Sequence, residues 1–281
     1  MQFKIIKMGK WAKSLFGREK FDRIGLVLAG TINPKFEKKI LSLFDKVVSS
    51  KDSVYHAHLV KKGKNYYPLL ANVYGGPAIM DSLAEMYDGG CRTVIFIGYA
   101  YGGFKKNLDV GSVVLPTKSY HFDGIYSPLD PSKTVALPNR ELKQKIKEVL
   151  DCCEIGYTEG INISVPAVTF QLPHANERYR KISPLTVEME LASCFSRCRD
   201  IGMRSCGILI ISDNRTSSIG DKAKSKLRRN AKFQVLKCLI KNIRKLNLKP
   251  LKTKREFNID EHLASIIESP EDVTNVYRQS K

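Results

Sequence analysis

The chain has 281 residues, 47 Lys and Arg against 28 Asp and Glu, a formal net charge of +19, and 43% hydrophobic residues. That length and apolar content predict one large α/β domain, no repeat of roughly 20–50 residues points to a solenoid, and the longest apolar stretch, near Val94–Phe104, is broken by glycines, which argues against a membrane span. Seven cysteines without a paired spacing predict a reducing, cytoplasmic setting with free buried thiols, Cys194 and Cys198 among them.

The first twenty residues are basic and carry Trp11, Leu15 and Phe16, the pattern of a short surface helix. The expected divisions are a basic extension over 1–22, a domain over 23–250 and a tail over 251–281. "RIGLVLAG" (Arg23–Gly30) reads as a buried first strand, and Lys35–Val48, with Phe36, Ile40, Leu43 and Phe44, as a helix. Val54–Val60 and Tyr67–Tyr74 read as strands joined across Gly63. The His56/His58 pair has strand spacing and reads as structural rather than metal-binding.

Gly75-Gly76-Pro77 opens a helix that runs through Tyr87, and "TVIFIG" (Thr93–Gly98) follows as a central strand. "VGSVVLPTKSY" is a further strand, Asn139–Leu150 a helix, Gly160–Phe170 an extended segment, Thr186–Ile201 a helix with a small-residue face, and Cys206–Ser212 a strand. Alternation of this kind indicates a layered α/β sheet with helices on both faces. From Lys222 to Arg255 there are fourteen Lys or Arg and no acid, yet Phe233, Leu236, Ile240, Ile243 and Leu246 recur at helical spacing, so the lysines read as the wet face of a docked helix. "GYAYGG" (Gly98–Gly103) lacks the G-x-G-x-x-G spacing of a dinucleotide site, and Walker A, G-x-S-x-G and H-E-x-x-H signatures are all missing.

"VEMELA" (Val187–Ala192), "ILIISDNR" (Ile208–Arg215), "YGGPA" (Tyr74–Ala78) and "VGSVVLPTKSYHFDG" (Val110–Gly124) together resemble the nucleoside phosphorylase superfamily, most closely its uridine phosphorylase branch, from about Gly25 to Arg215. The chemistry gives two neighbouring acids a reason. Breaking an N-glycosidic bond builds positive charge on the ribose, and a carboxylate that accepts from the ribose hydroxyls both orients the sugar and meets that charge. The resemblance implies that Glu190 holds the 2′ and 3′ hydroxyls, Met189 packs on the sugar and Glu188 sits beside the base. Without it, Glu188 and Glu190 read as acids complementing a helix dipole.

"TFQLPHANERYR" (Thr169–Arg180) resembles the segment that grips uracil, which implies stacking by Phe170 and hydrogen bonds from Asn176, standing where Gln is usual, and from Arg178. Asp213 matches instead the aspartate with which purine-cleaving relatives meet N7. The base is therefore open between pyrimidine and purine, with pyrimidine ahead. Glu190, Asp213 and Arg178 are the expected catalytic set. The phosphate motifs of the family are altered: "GTINPKF" keeps Gly30 but lacks the arginine, and "FIGY" puts Phe96 at the second arginine and Tyr99 at the hydroxyl. Gly30 and Tyr99 are what remain of a phosphate site, with Lys35, Lys38, Arg92 and Arg215 as candidate replacements for the lost guanidinium groups.

Three readings follow: a phosphorylase with a rebuilt anion site, needing phosphate as co-substrate and neither cofactor nor metal; a nucleosidase using water; or a diverged protein that keeps the nucleoside pocket and turns its basic helix to RNA or a protein partner. The resemblance also implies an α/β fold, a three-layer αβα sandwich around a central mixed sheet, and a homodimer or hexamer.

Overall fold

The computed structural model describes residues 9–30, 33–51, 55–126, 130–167, 173–251 and 256–267. In chain order the elements are α1 (Lys10–Phe16), β1 (Ile24–Ala29), α2 (Pro34–Leu41), β2 (Lys46–Lys51), β3 (His56–Lys62), β4 (Asn65–Val73), α3 (Gly76–Asp88), β5 (Thr93–Tyr101), β6 (Val113–His121) and β7 (Val135–Ala136). Then come α4 (Arg140–Asp151), β8 (Thr158–Ser164), α5 (Pro173–Ile182), β9 (Thr186–Glu188), α6 (Leu191–Asp200), β10 (Arg204–Asp213), α7 (Lys222–Lys241), a 3₁₀ turn (Ile243–Leu246) and α8 (Ile259–Ile267). Polar side chains start several helices by accepting from otherwise unpaired backbone donors: Asn33 from Phe36 N at 2.8 Å, Asn139 from Leu142 N at 2.9 Å and Asp221 from Ala223 N at 2.9 Å.

β1, β5 and β10 are apolar throughout because both of their faces are covered. Ile24, Leu26, Leu28, Ile95, Ile97, Ile208 and Ile210 point to a core shared with α2, α4 and α7. Val27, Val94, Phe96, Leu209 and Ile211 point to the opposite core, shared with α1, α3 and α6. The three-layer αβα sandwich around a mixed sheet is thus present, and no helix among the described residues is long and apolar enough to cross a membrane.

One detail of the sheet creates space for chemistry. β1 runs parallel to β5 only from Ile24/Thr93 to Leu28/Ile97. β10 follows β5 as far as Tyr101, where the short β9 pairs antiparallel with it through Val187. β9 also pairs with β8, β8 with β6 and β6 with β10, so these strands close a ring beside the open sheet. Past Ile97, therefore, β5 leaves β1, and a crevice opens between Gly30 at the end of β1 and the turn that follows β9.

Several expectations are corrected. The helix expected over Lys35–Val48 stops at Leu41, and residues 46–51 are an edge strand paired with β3. The helix expected from Thr186 begins at Leu191, because residues 186–188 are drawn into the sheet by β8 and β5. Packing of α4 against α7 brings Cys153 and Cys238 into a disulfide with Cα atoms 6.2 Å apart, a pairing that a separation of 85 residues hides from the sequence. Cys194 and Cys198 are free and buried, as expected. Along α7 most lysines are wet, but Lys232 is fully buried.

The "SYHFDG" stretch is absorbed by packing. His121 Nε2 lies 2.8 Å from Ser196 Oγ, its Nδ1 lies 3.2 Å from Asp123, and Ser193 Oγ donates to Asp123 at 2.7 Å. This chain has the order of a hydrolytic triad but is buried between β6 and α6, where it ties helix to strand rather than facing a substrate.

Replacing Ile208 by Ala should leave a cavity at the centre of the sheet and cost about 2–5 kcal/mol, read by urea unfolding. Lys226→Gln on the exposed face of α7 should change stability by less than about 0.5 kcal/mol.

Candidate functional site

The crevice is a cavity of about 660 Å³. Its walls include Gly30 from the end of β1, Asn33 and Phe36 from the start of α2, Tyr74 after β4, Tyr99 and Tyr101 from β5, and Glu188, Met189 and Glu190 from the β9–α6 turn. Ser212 and Asp213 of β10 and Ser225, Arg228 and Arg229 of α7 complete them. Residues from both ends of the chain meet there only because β5 diverges from β1.

The two glutamates do different things. Glu188 is buried, and both of its carboxylate oxygens are saturated: Asn162 Nδ2 and Ser164 Oγ donate to Oε1 at 2.7 and 2.5 Å, while Glu190 N and Leu191 N donate to Oε2 at 2.8 and 2.7 Å. Asn162 in turn accepts from Thr186 Oγ1 at 2.8 Å and donates to Ser119 Oγ at 2.8 Å. Glu188 therefore braces the turn and caps the first free donors of α6. Glu190 is held more lightly, accepting from Gly75 N at 2.7 Å through Oε1 and from Met189 N at 3.3 Å through Oε2. Burial first, and then the neighbouring charge of Glu188, hold its carboxyl well above the ordinary range. A buried acid at a cavity wall with spare lone pairs can accept from sugar hydroxyls.

Asp213, at the end of β10, lines the same cavity and accepts from Ser212 Oγ. Burial raises its carboxyl, while the Ser212 hydroxyl and the Arg228 charge pull the other way. A carboxyl raised in this way is a better proton donor or sharing partner for a base nitrogen than an ordinary surface aspartate.

The expected cations are elsewhere. Arg92 donates to Tyr87 O and Cys91 O at 2.8 Å each and stacks on the Tyr87 ring, and Arg215 is bound to the carbonyls of Gly103 and Phe104. Lys35 and Lys38 are exposed and do not line the cavity. Arg228 and Arg229 line it instead, beside Tyr99, whose phenol burial pushes up to about 12 against the pull of both guanidinium groups. Arg228 is anchored by a hydrogen bond from Nη1 to Ser212 O at 3.2 Å.

Beneath this wall Lys232 donates to Ala29 O at 3.0 Å, and its ammonium lies 4.2 Å from the Tyr99 ring centre. Burial lowers its pKa to about 7, and Glu190 works against that shift. These three residues escaped the sequence reading because a lysine-rich helix reads as solvated. The available signal was position: Lys232 shares the i, i+4, i+8 stripe of Leu236 and Ile240, both buried.

Of the residues singled out from sequence, Gly30, Tyr99, Glu188, Met189, Glu190 and Asp213 come together in the cavity. Arg178 does not line it; it is exposed on α5 with its guanidinium 5.8 Å from the Phe122 ring centre. Phe170 lies outside the described residues, as does the side chain of Asn176.

The depressed Lys232 has a consequence for stability. An unfolded lysine keeps its proton up to about pH 10.5, whereas the folded one releases it near 7, so between these values the unfolded state holds the extra proton and stability rises with pH. Lys232→Met should thus raise Tm most near pH 7, by several degrees, with the gain shrinking toward pH 10 in a thermal melt series.

Comparison with known proteins bears on the family and the fold. The profile of the phosphorylase superfamily matches residues 74–240. No curated protein sequence matches. Among solved structures, the purine nucleoside phosphorylase of Toxoplasma gondii in complex with immucillin-H superposes with a TM-score of 0.71 at 16% identity, covering 87% of this chain and 98% of that one. The 5′-methylthioadenosine/S-adenosyl homocysteine nucleosidase of Campylobacter jejuni gives 0.67 at 14% identity, covering 78% and 98%. Its Helicobacter pylori counterpart gives 0.65 at 18% identity, covering 80% and 99%. With the profile spanning more than half of its length, the chain belongs to the phosphorylase superfamily.

Proposed function

We propose that this protein cleaves the N-glycosidic bond of a nucleoside by phosphorolysis. The observation that carries this reading is one cavity whose wall combines the Glu190–Met189 turn, the Asp213 carboxyl and two arginines of α7. Glu190 accepts from the ribose hydroxyls and meets the positive charge that grows on the sugar. Phosphate, held toward Arg228 and Arg229, adds an oxygen to C1′ as the C1′–N bond breaks. The bonding pair leaves with the base, and Asp213 supplies or shares the proton that keeps the base from departing as a bare anion. Asp213 in the wall, with Arg178 away from it, supports a purine over the pyrimidine that the sequence put ahead.

Hydrolysis is the second reading. It is favoured by Tyr99, which stands in the sequence where the family resemblance puts a phosphate-binding Ser or Thr, and by the nucleosidases among the structural neighbours. Tyr74 and Ile219, both exposed at the cavity, support a homo-oligomer in which a second subunit covers the mouth. Five free cysteines, four of them buried, keep a cytoplasmic setting part of the proposal.

Incubation with inosine, adenosine and uridine, with and without phosphate, tests the reading by free base. Release that depends on phosphate is expected; release of equal rate without it selects water, and no release in either condition removes the activity. Glu190→Gln should lower kcat by about 10²–10³ while leaving the fold intact by circular dichroism. Arg228→Ala with Arg229→Ala should raise the KM for phosphate by at least about tenfold, and the exposed triple change Lys222→Gln, Lys224→Gln, Lys226→Gln should leave it unchanged.

A further inference from the structure

The chain contains a second group of chemistry-bearing side chains, behind the cavity wall. β3 presents alternate residues to one face, so His56 and His58 project to the same side. α2 lies over that face and brings Glu37, from its first turn, down between them. Glu37 Oε2 is 2.7 Å from His56 Nδ1, and Oε1 is 2.6 Å from His58 Nε2. The ligand atoms of all three residues lie within 4.8 Å of one another, and among the described residues this is the group of His, Cys, Asp or Glu with the geometry to hold a metal ion.

We infer that Glu37, His56 and His58 form a binding site for a first-row divalent cation of the zinc class. Two imidazoles and one carboxylate are the donor set that such ions take, and neither magnesium nor calcium favours nitrogen-rich sites. The positions are fixed from three sides. His58 sits mid-strand, flanked by Ser50 of β2 and Leu69 of β4, and Glu37 belongs to a helix whose start is locked by the Asn33 cap. Metal–ligand bonds of about 2.0–2.2 Å place tetrahedral donors roughly 3.3 Å apart, so each carboxylate oxygen, now 2.7 or 2.6 Å from its imidazole, withdraws slightly, and donors at most 4.8 Å apart draw together by up to about 1.5 Å. Side-chain torsions of Glu37 supply that.

The exposures divide the labour. Glu37 and His58 have side chains 9% and 4% exposed, whereas His56 is 35% exposed. The ion enters from the His56 side, and a water there completes the coordination. Binding exchanges tautomers without net proton release from neutral imidazoles: each ring turns a lone pair to the ion and carries its proton on the other nitrogen. For His56 that nitrogen sits on the partly exposed ring. For His58 it is Nδ1, which is buried and meets no acceptor among the described residues. The missing outer partner makes the site weaker than a fully braced zinc centre by about 10–100-fold.

The site does not touch the cavity, so its effect is on position. Glu37 directly follows Phe36 and is one helical turn from Asn33, both of which line the cavity. An ion holding Glu37 to β3 clamps α2 to the sheet and fixes that part of the wall. This makes the cation a structural or regulatory ligand and not a reactant.

The test uses the full-length chain without a histidine tag, in a Cys152→Ser background because Cys152 is an exposed thiol that would compete for the ion. After treatment with chelator, the protein is titrated with Co²⁺ and with Zn²⁺. One equivalent of Co²⁺ should give the visible absorption of a low-coordinate site, zinc should displace it, and zinc should raise Tm by several degrees. His56→Ala, at the partly exposed ligand, should keep the native circular dichroism and lose both the absorption and the zinc-dependent Tm rise, with affinity lower by at least about tenfold. Glu37→Gln should do the same if folded. Absence of a stoichiometric cobalt spectrum in the folded parent protein overturns the inference, and so does cobalt binding of equal affinity in His56→Ala.

Discussion

The carboxylate of Glu188 is the contact on which the rest of the site depends. It is buried, and four donors converge on it, from β8 through Asn162 and Ser164 and from the backbone of the turn itself through Glu190 and Leu191. A carboxylate out of water is tolerated only when its lone pairs are met, and here meeting them fixes three elements relative to one another. β9 is held in the sheet, α6 starts at Leu191, and the chain between them bends so that Met189 and Glu190 form part of the cavity wall. Two acids one residue apart are thus a brace and a lightly held carboxyl, the one to which the proposed reaction gives the ribose.

Charge balance explains the other side of the cavity. Burial raises Glu190 and Asp213 alike, which favours their neutral forms, and α7 answers with Arg228, Arg229 and Lys232. The two arginines face the space, and the lysine lies beneath Tyr99. In place of guanidinium groups on the two strand-end motifs, the cations arrive on one helix, whose register against the sheet is set by Val235, Leu236, Leu239 and Ile240. Packing of the core and the electrostatics of the site are in this way the same contact.

Much of this was legible from residues alone. β1, β5 and β10 announce themselves as apolar runs, and Glu188, Met189, Glu190 and Asp213, singled out from the sequence, line one cavity. What was hidden has physical causes. The expected helix was carried on to Val48 because Leu43 and Phe44 continue the spacing of α2, and only pairing with β3 shows that a strand starts at Lys46. Thr186–Glu188 is too short to declare itself without its partners in β8 and β5. Arg228 and Arg229 looked like two more charges on a wet helix, since the end of β5 that they face is more than 120 residues away in sequence. Glu37 gave no hint of its company, because a helix and a strand from different turns of the chain meet only in the folded layers.

β5 parts from β1 after Ile97, and the room for a ligand is made by these diverging strands. Exposed residues at that gap, such as Tyr74 and Ile219, carry little of the weight of the sandwich, so they are free to change identity while the layers and the Glu188 brace persist. Lineages of this kind can trade one leaving group or nucleophile for another by surface-like substitutions at the strand ends, and a sequence can drift far from its cousins before its backbone notices.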